Sequence, residues 1–134
     1  MLRPLRILLV DDNRLILRVV ALVLEEVGFE VVPADSGEAA LALARRDPPD
    51  LCIVDQEMPG MKGSDLIRAL RSSGDLRLGL VPVLGISAYA SAEAPLRAAG
   101  ASVFLKKPIE EEALLEAVLA ALAPDVAERT ALLA

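Results

Sequence analysis

Residues 51–63 read LCIVDQEMPGMKG. The apolar run Leu51-Cys52-Ile53-Val54 lacks the alternation of a half-solvated strand, so both of its faces are expected to be covered. It stops on Asp55, and Met58-Pro59-Gly60 follows as turn-forming sequence. A strand buried on both faces belongs to a parallel sheet lying between layers of helices. The question raised by this stretch is why such a strand ends on a carboxylate.

Outward from this stretch the chain alternates short apolar runs with helical patterns. RILLV (6–10) precedes a helical pattern over 13–27 that Gly28 stops. FEVVPA (29–34) reads as a strand and 36–46 as a helix capped by Asp35 or Ser36. The third strand is DLCIVD (50–55), and a helix capped by Ser64 is expected over 64–73, with Leu66, Ile67 and Leu70 on one face. VPVLGIS (81–87), a short helix around Pro95 to Ala99, SVFLK (102–106) and a last helix from Pro108 to about Leu122 complete the pattern. Residues 1–122 are thus expected to form one domain. Residues 123–134 read as a C-terminal tail or the start of a linker helix. Strict alternation with right-handed crossovers gives an α/β fold, a doubly wound five-stranded parallel sheet with helices on both faces. Ligands of such sheets bind beyond the carboxyl ends of the strands.

Composition removes several classes of function. The 134 residues are 54% hydrophobic, which suits a packed core, and the formal charge is −6 with scattered arginines, which offers no basic footprint for nucleic acid or an anionic membrane. Two Phe, one Tyr and no Trp leave no stacking platform for single strands. The absence of His excludes His-based triads, His metal sites and phosphohistidine within this chain. The single Cys52 lies in an apolar run, so a buried thiol in a reducing compartment is expected. No apolar stretch reaches the length of a membrane span, and the N-terminal MLRPLRILLVDD is too short and ends too acidic for a signal peptide, so a cytoplasmic location is expected.

The strand ends carry the chemistry. Strand one runs into Asp11-Asp12, strand three into Asp55, strand four into Ser87, and Lys107 follows strand five. Each alone has an ordinary role: Asp11-Asp12 as a helix cap, Asp55 as a turn residue, Ser87 as a local hydrogen-bonder, and Lys107 with Lys106 as a solvated pair. Together they bring three carboxylates, a hydroxyl and an ammonium to one edge. Carboxylates so close repel, and a hard divalent cation with oxygen ligands, Mg2+ foremost, relieves that cost. A metal, a lysine and a hydroxyl around one carboxylate suit phosphoryl transfer onto it.

ILLVDDN (7–13), IVDQEMPGMKG (53–63), PVLGISA (82–88) and AGASVFLKKP (99–108), in this order, make the chain resemble the receiver domain of two-component response regulators over roughly residues 5–122. The resemblance implies a flavodoxin-like sheet of strand order 2-1-3-4-5. It also implies that Asp55 is the phosphoacceptor and that Asp12 and Asp55 bind Mg2+ directly. The Glu57 backbone carbonyl would be a third metal ligand, and Asp11 would act mainly through water. By the same resemblance Ser87 is the switch hydroxyl, Lys107 the phosphate-binding lysine on a cis Lys-Pro bond, and Phe104 the rotating aromatic. The segment between Ser87 and Gly100 is shorter than the family's common pattern, so the helix preceding strand five is expected to be short.

The expected function is a receiver that takes a phosphoryl group onto Asp55 from a partner phosphohistidine and switches conformation to control partner binding. The donor would be a histidine kinase or a histidine phosphotransfer protein. The output would be docking to a downstream protein target, with a phosphorylation-dependent homodimer as a further possibility. Such a module catalyses its own phosphorylation and dephosphorylation and is not a turnover enzyme. The alternatives are a phosphorylation-independent interaction module of the same fold and the N-terminal receiver of a longer multidomain regulator. A haloacid-dehalogenase-type phosphatase is disfavoured because LLVDDN has adjacent acids in place of Asp-x-Asp. A dinucleotide-binding domain is disfavoured because VDDNRL lacks a glycine-rich turn.

Overall fold

A computed structural model describes residues 3–133, the side chains of 124–133 excepted. Among these residues five strands alternate with helices: β1 (Arg6–Val10), α1 (Arg14–Glu26), β2 (Glu30–Ala34), α2 (Gly37–Arg46), β3 (Leu51–Asp55), α3 (Gly63–Arg71), α4 (Leu76–Gly79), β4 (Val83–Ser87), α5 (Glu93–Ala99), β5 (Val103–Lys106) and α6 (Glu111–Leu133). All strand pairs are parallel, in the order β2-β1-β3-β4-β5. The doubly wound fold expected from the strand-helix alternation is therefore present.

Alternate strand residues enter opposite layers, as the pleat requires. Ile7 and Leu9 of β1, Leu51 and Ile53 of β3 and Leu84 and Ile86 of β4 pack with α1 and α6. Leu8, Val10, Cys52, Val54 and Val83 pack on the other side with α2, α3, α4 and α5. Every residue of β3 is buried, so the uninterrupted run LCIV does fill both layers. Pro33 lies in β2 at the sheet edge, where its missing N–H costs no ladder bond on the open side.

The structure differs from the sequence expectations at three helix starts. Ser64 does not cap α3: the helix starts one residue earlier, with Lys62 at the cap and the Asp65 carboxylate accepting from the Lys62 N–H at 3.0 Å. Ser64 is buried instead, and its N–H and hydroxyl are taken by the Gln56 amide. The last helix starts at Glu111, three residues beyond Pro108, and continues past Leu122 to Leu133. A one-turn helix, α4, occupies a stretch that carried no helical pattern, held by Asp75 accepting from the Arg77 N–H at 2.8 Å. Two helix expectations hold. Ser36 caps α2, and α5 is short, with Pro95 in its first turn, where a proline is tolerated.

Two glycines fix the loop after β3. Gly60 has φ +75°, a conformation that costs a side-chain-bearing residue steric strain. Gly63 opens α3 directly against β3, and a Cβ there would lie 2.3 Å from the Asp55 carbonyl oxygen. Gly63→Ala is expected to lower stability by about 1–3 kcal/mol in urea unfolding, because backbone has to move. Gly74→Ala, which meets no atom within 4 Å, is expected to change stability by less than about 0.5 kcal/mol. Equal effects of the two substitutions would contradict this packing.

Candidate functional site

At the carboxyl edge of the sheet, Asp11 and Asp12 directly follow β1. The cap of α1 is Asn13, whose side-chain oxygen accepts from the Leu15 and Ile16 N–H groups at 3.0 and 3.2 Å. Neither aspartate is therefore consumed as the helix cap. Asp11 is fully buried; its Oδ1 accepts from the Asn13 N–H at 2.9 Å, and its own N–H donates to the Ala34 carbonyl at 3.1 Å. Asp12 is exposed.

Asp55 ends β3 and is 1% exposed. The chain leaving it is anchored on both sides. The Gln56 N–H donates to the Ile86 carbonyl at 3.0 Å, and the Gln56 side-chain oxygen accepts from the Ser64 N–H at 2.7 Å. The carboxylate therefore sits on a strand end clamped between β4 and the start of α3.

Lys107 reaches this pair of acids from the end of β5. Its Nζ lies 2.8 Å from Asp11 Oδ2 and 3.2 Å from Asp55 Oδ1. The Lys107 N–H donates to the Ser87 carbonyl at 2.8 Å, so the end of β4 also positions the lysine backbone. The Lys107-Pro108 peptide is cis, as the resemblance implied. Ser87 is fully buried; its Oγ accepts from the Tyr89 N–H at 2.9 Å and faces the Glu57 carboxylate. Phe104 sits on β5 in register with Gly85 and packs half-buried against the α2–α5 layer.

The electrostatics follow from this crowding. Burial pushes the Asp55 carboxyl up from an ordinary 3.8 to about 6; the neighbouring Asp11 adds to the rise, and the Lys107 ammonium opposes it. For Lys107, burial works to lower the pKa, but the Asp11 and Asp55 carboxylates outweigh it and hold the ammonium above its usual value.

The oxygens are also suited to a hard cation. One carboxylate oxygen from each of Asp11, Asp12 and Asp55 falls within 4.8 Å of the others. Asp11 Oδ2 and Asp55 Oδ1 are buried without a well-aligned hydrogen-bond donor, beyond their ion pairs with Lys107. Acceptor-only oxygens, two of them buried and sharing a single ammonium, fit Mg2+.

The structure thus brings together Asp11, Asp12, Asp55 and Lys107, with Ser87 on the neighbouring strand end. Two contributions were not read from the sequence. The Gln56–Ser64 pairing depends on side chains eight residues apart across a turn, and polar periodicity gives no signal for it. The resemblance called on the Glu57 backbone carbonyl, and the structure adds that the Glu57 carboxylate lies 2.7 and 2.8 Å from Ser87 Oγ.

Comparison with known proteins bears on the family and the fold. The family profile of the response regulator receiver domain matches residues 7–119. The chain is 33% identical over 120 residues to the protein PilH of Pseudomonas aeruginosa, covering 88% of this chain and 98% of that protein. It is 37% identical over 120 residues to the sensor histidine kinase GacS of Pseudomonas protegens, covering 87% of this chain but spanning only 13% of that kinase. Among solved structures, the Vibrio cholerae chemotaxis protein CheY4 superposes with a TM-score of 0.82 at 30% identity, covering 89% of this chain and 99% of that one. No helix among the described residues is long and apolar enough to cross a membrane.

The raised pKa of Asp55 fixes the sign of a stability effect. The folded protein holds the Asp55 proton more tightly than the unfolded chain, so its ionisation opposes folding. That penalty is absent below about pH 4, grows as pH rises toward 6, and is complete above it. In metal-free buffer, Asp55→Asn is therefore expected to match the parent protein near pH 4 and to be more stable by about 1–3 kcal/mol at pH 7.5. Denaturant unfolding of both proteins across that range checks it. A constant difference would show that Asp55 ionises without cost.

Proposed function

The chain belongs to the response regulator receiver family, and from that premise we propose that Asp55 accepts a phosphoryl group from the phosphohistidine of a partner protein. The observation that carries this reading is the placement of Asp55. It is a buried strand-end carboxylate with a lysine ammonium at 3.2 Å and two further carboxylates beside it. The chain has no histidine, so the donor is another molecule, a histidine kinase or a histidine phosphotransfer protein.

In the transfer, an Asp55 oxygen attacks phosphorus in line with the imidazole. A P–O bond forms, the N–P bond breaks, and the imidazole leaves with the electron pair and is protonated from solvent. The product is an acyl phosphate on Asp55. Lys107, held charged by the two acids, pairs with the phosphoryl oxygens and offsets the charge that develops on them. Ser87 offers its hydroxyl to one of those oxygens. Asp11, Asp12 and Asp55, with the Glu57 backbone carbonyl, would hold Mg2+. When bound, the ion neutralises charge on the carboxylates and on the phosphoryl oxygens.

The output is a population shift: Ser87 engages the phosphoryl group, Phe104 repacks, and the altered face binds a downstream protein or a second copy of the chain. The module modifies itself and does not turn over substrate. Residues 1–122 form the receiver unit and 123–134 its tail or linker. A cytoplasmic location, away from membrane and nucleic acid, suits the free thiol of Cys52.

Incubation with Mg2+ and a small phosphodonor such as acetyl phosphate or phosphoramidate is expected to add one phosphoryl group, read by intact mass. Asp55→Asn is expected to abolish the adduct, chelation of Mg2+ to suppress it, and Lys107→Ala to slow its formation ~100-fold. An unmodified parent protein, or equal labelling of Asp55→Asn, would refute the reading.

A further inference from the structure

Ser87 carries a single hydroxyl proton, and in this structure that proton is already engaged. The Ser87 Oγ lies 2.7 and 2.8 Å from the two Glu57 carboxylate oxygens, while the Tyr89 N–H donates to the same Oγ at 2.9 Å. Ser87 is fully buried and Glu57 is exposed, so the acid reaches inward from the loop after β3 to close over the hydroxyl. A charge-assisted hydrogen bond of this length is among the stronger side-chain contacts.

We propose that Glu57 is a positioning residue that latches the Ser87 hydroxyl in the unphosphorylated protein, so that the phosphoryl group on Asp55 must displace the Glu57 carboxylate before Ser87 can turn to it. This rests on Asp55 being the acceptor. The hydroxyl cannot donate to both partners, so latch and phosphoryl contact exclude one another. The opening force is built in: a phosphoryl group brings charge of about −1.5 to −2 at neutral pH close to the Glu57 carboxylate, and like charges repel. The released side chain also has somewhere to go. Glu57 lines an open cavity of about 560 Å³ together with Lys62, Tyr89 and Pro95. Glu57 therefore biases the switch toward its resting state, and the strength of one hydrogen bond sets how far.

The test is a double-mutant cycle, with affinity for the acyl-phosphate mimic fluoroberyllate measured by calorimetry in saturating Mg2+. Glu57→Ala keeps the backbone carbonyl proposed as a metal ligand and removes only the latch. It is expected to tighten fluoroberyllate binding ~10- to 100-fold, the worth of one charge-assisted hydrogen bond. In the Ser87→Ala background, which has no hydroxyl to release, the same substitution is expected to change affinity less than about 3-fold. Glu57→Gln, whose amide oxygen still accepts, is expected to fall between. Equal tightening in both backgrounds would show simple charge repulsion and overturn the latch, as would no tightening in either. Binding by none of these proteins would overturn the acceptor reading and the latch with it, whereas binding without coupling overturns the latch alone.

Discussion

Two carboxylates buried side by side with one shared ammonium set the terms for the rest of the molecule. Asp55 ends β3 and Asp11 follows the neighbouring parallel β1, and the register that pairs Val10 with Val54 places the acids one step further along. Among the described residues Lys107 alone pairs with both. Burying like charges opposes folding, so the surrounding structure has to be strong enough to impose it. Two apolar layers, one on each face of β1, β3 and β4, supply that strength. Local devices then fix the geometry. Asn13 takes over the capping of α1, Gln56 ties the loop to Ser64, Gly63 lets α3 start against the Asp55 carbonyl, and the Ser87 carbonyl holds the Lys107 backbone.

The same electrostatic imbalance connects fold to function. A site with more acid than base stays incompletely compensated in the protein by itself, and it gains most from a ligand that brings positive charge. The proposed function draws on that property: the resting site would be stable enough to persist, yet improved by a metal and altered by a phosphoryl group. Glu57 extends the same logic outward. Its carboxylate lies against the Ser87 hydroxyl, and under the proposed latch added negative charge at Asp55 would disturb that contact.

Legibility in the sequence followed the physics of each feature. The run LCIV, the repeated strand-helix alternation and the strand-end acids are local in sequence, and each was readable without coordinates. Helix starts were less readable. The cap of α3 passed from Ser64 to Lys62 because the Gln56 amide competes for Ser64 and Asp65 reaches back, and neither contact shows in a propensity pattern. Helix α4 is a single turn held by Asp75, too short to leave a period. The Glu57–Ser87 contact joins residues thirty apart in sequence, and no local pattern marks it.

The central claim is that the strand-end acids form one cation-demanding site. Calorimetric titration of the metal-free protein with Mg2+ at pH 7.5, repeated with Asp55→Asn and at pH 5, tests it most directly. One ion bound per chain is expected, with binding weakened sharply by Asp55→Asn and weakened again at pH 5, where protons compete for the Asp55 carboxylate. Absence of binding at pH 7.5, or binding unchanged by loss of the Asp55 charge, would contradict it.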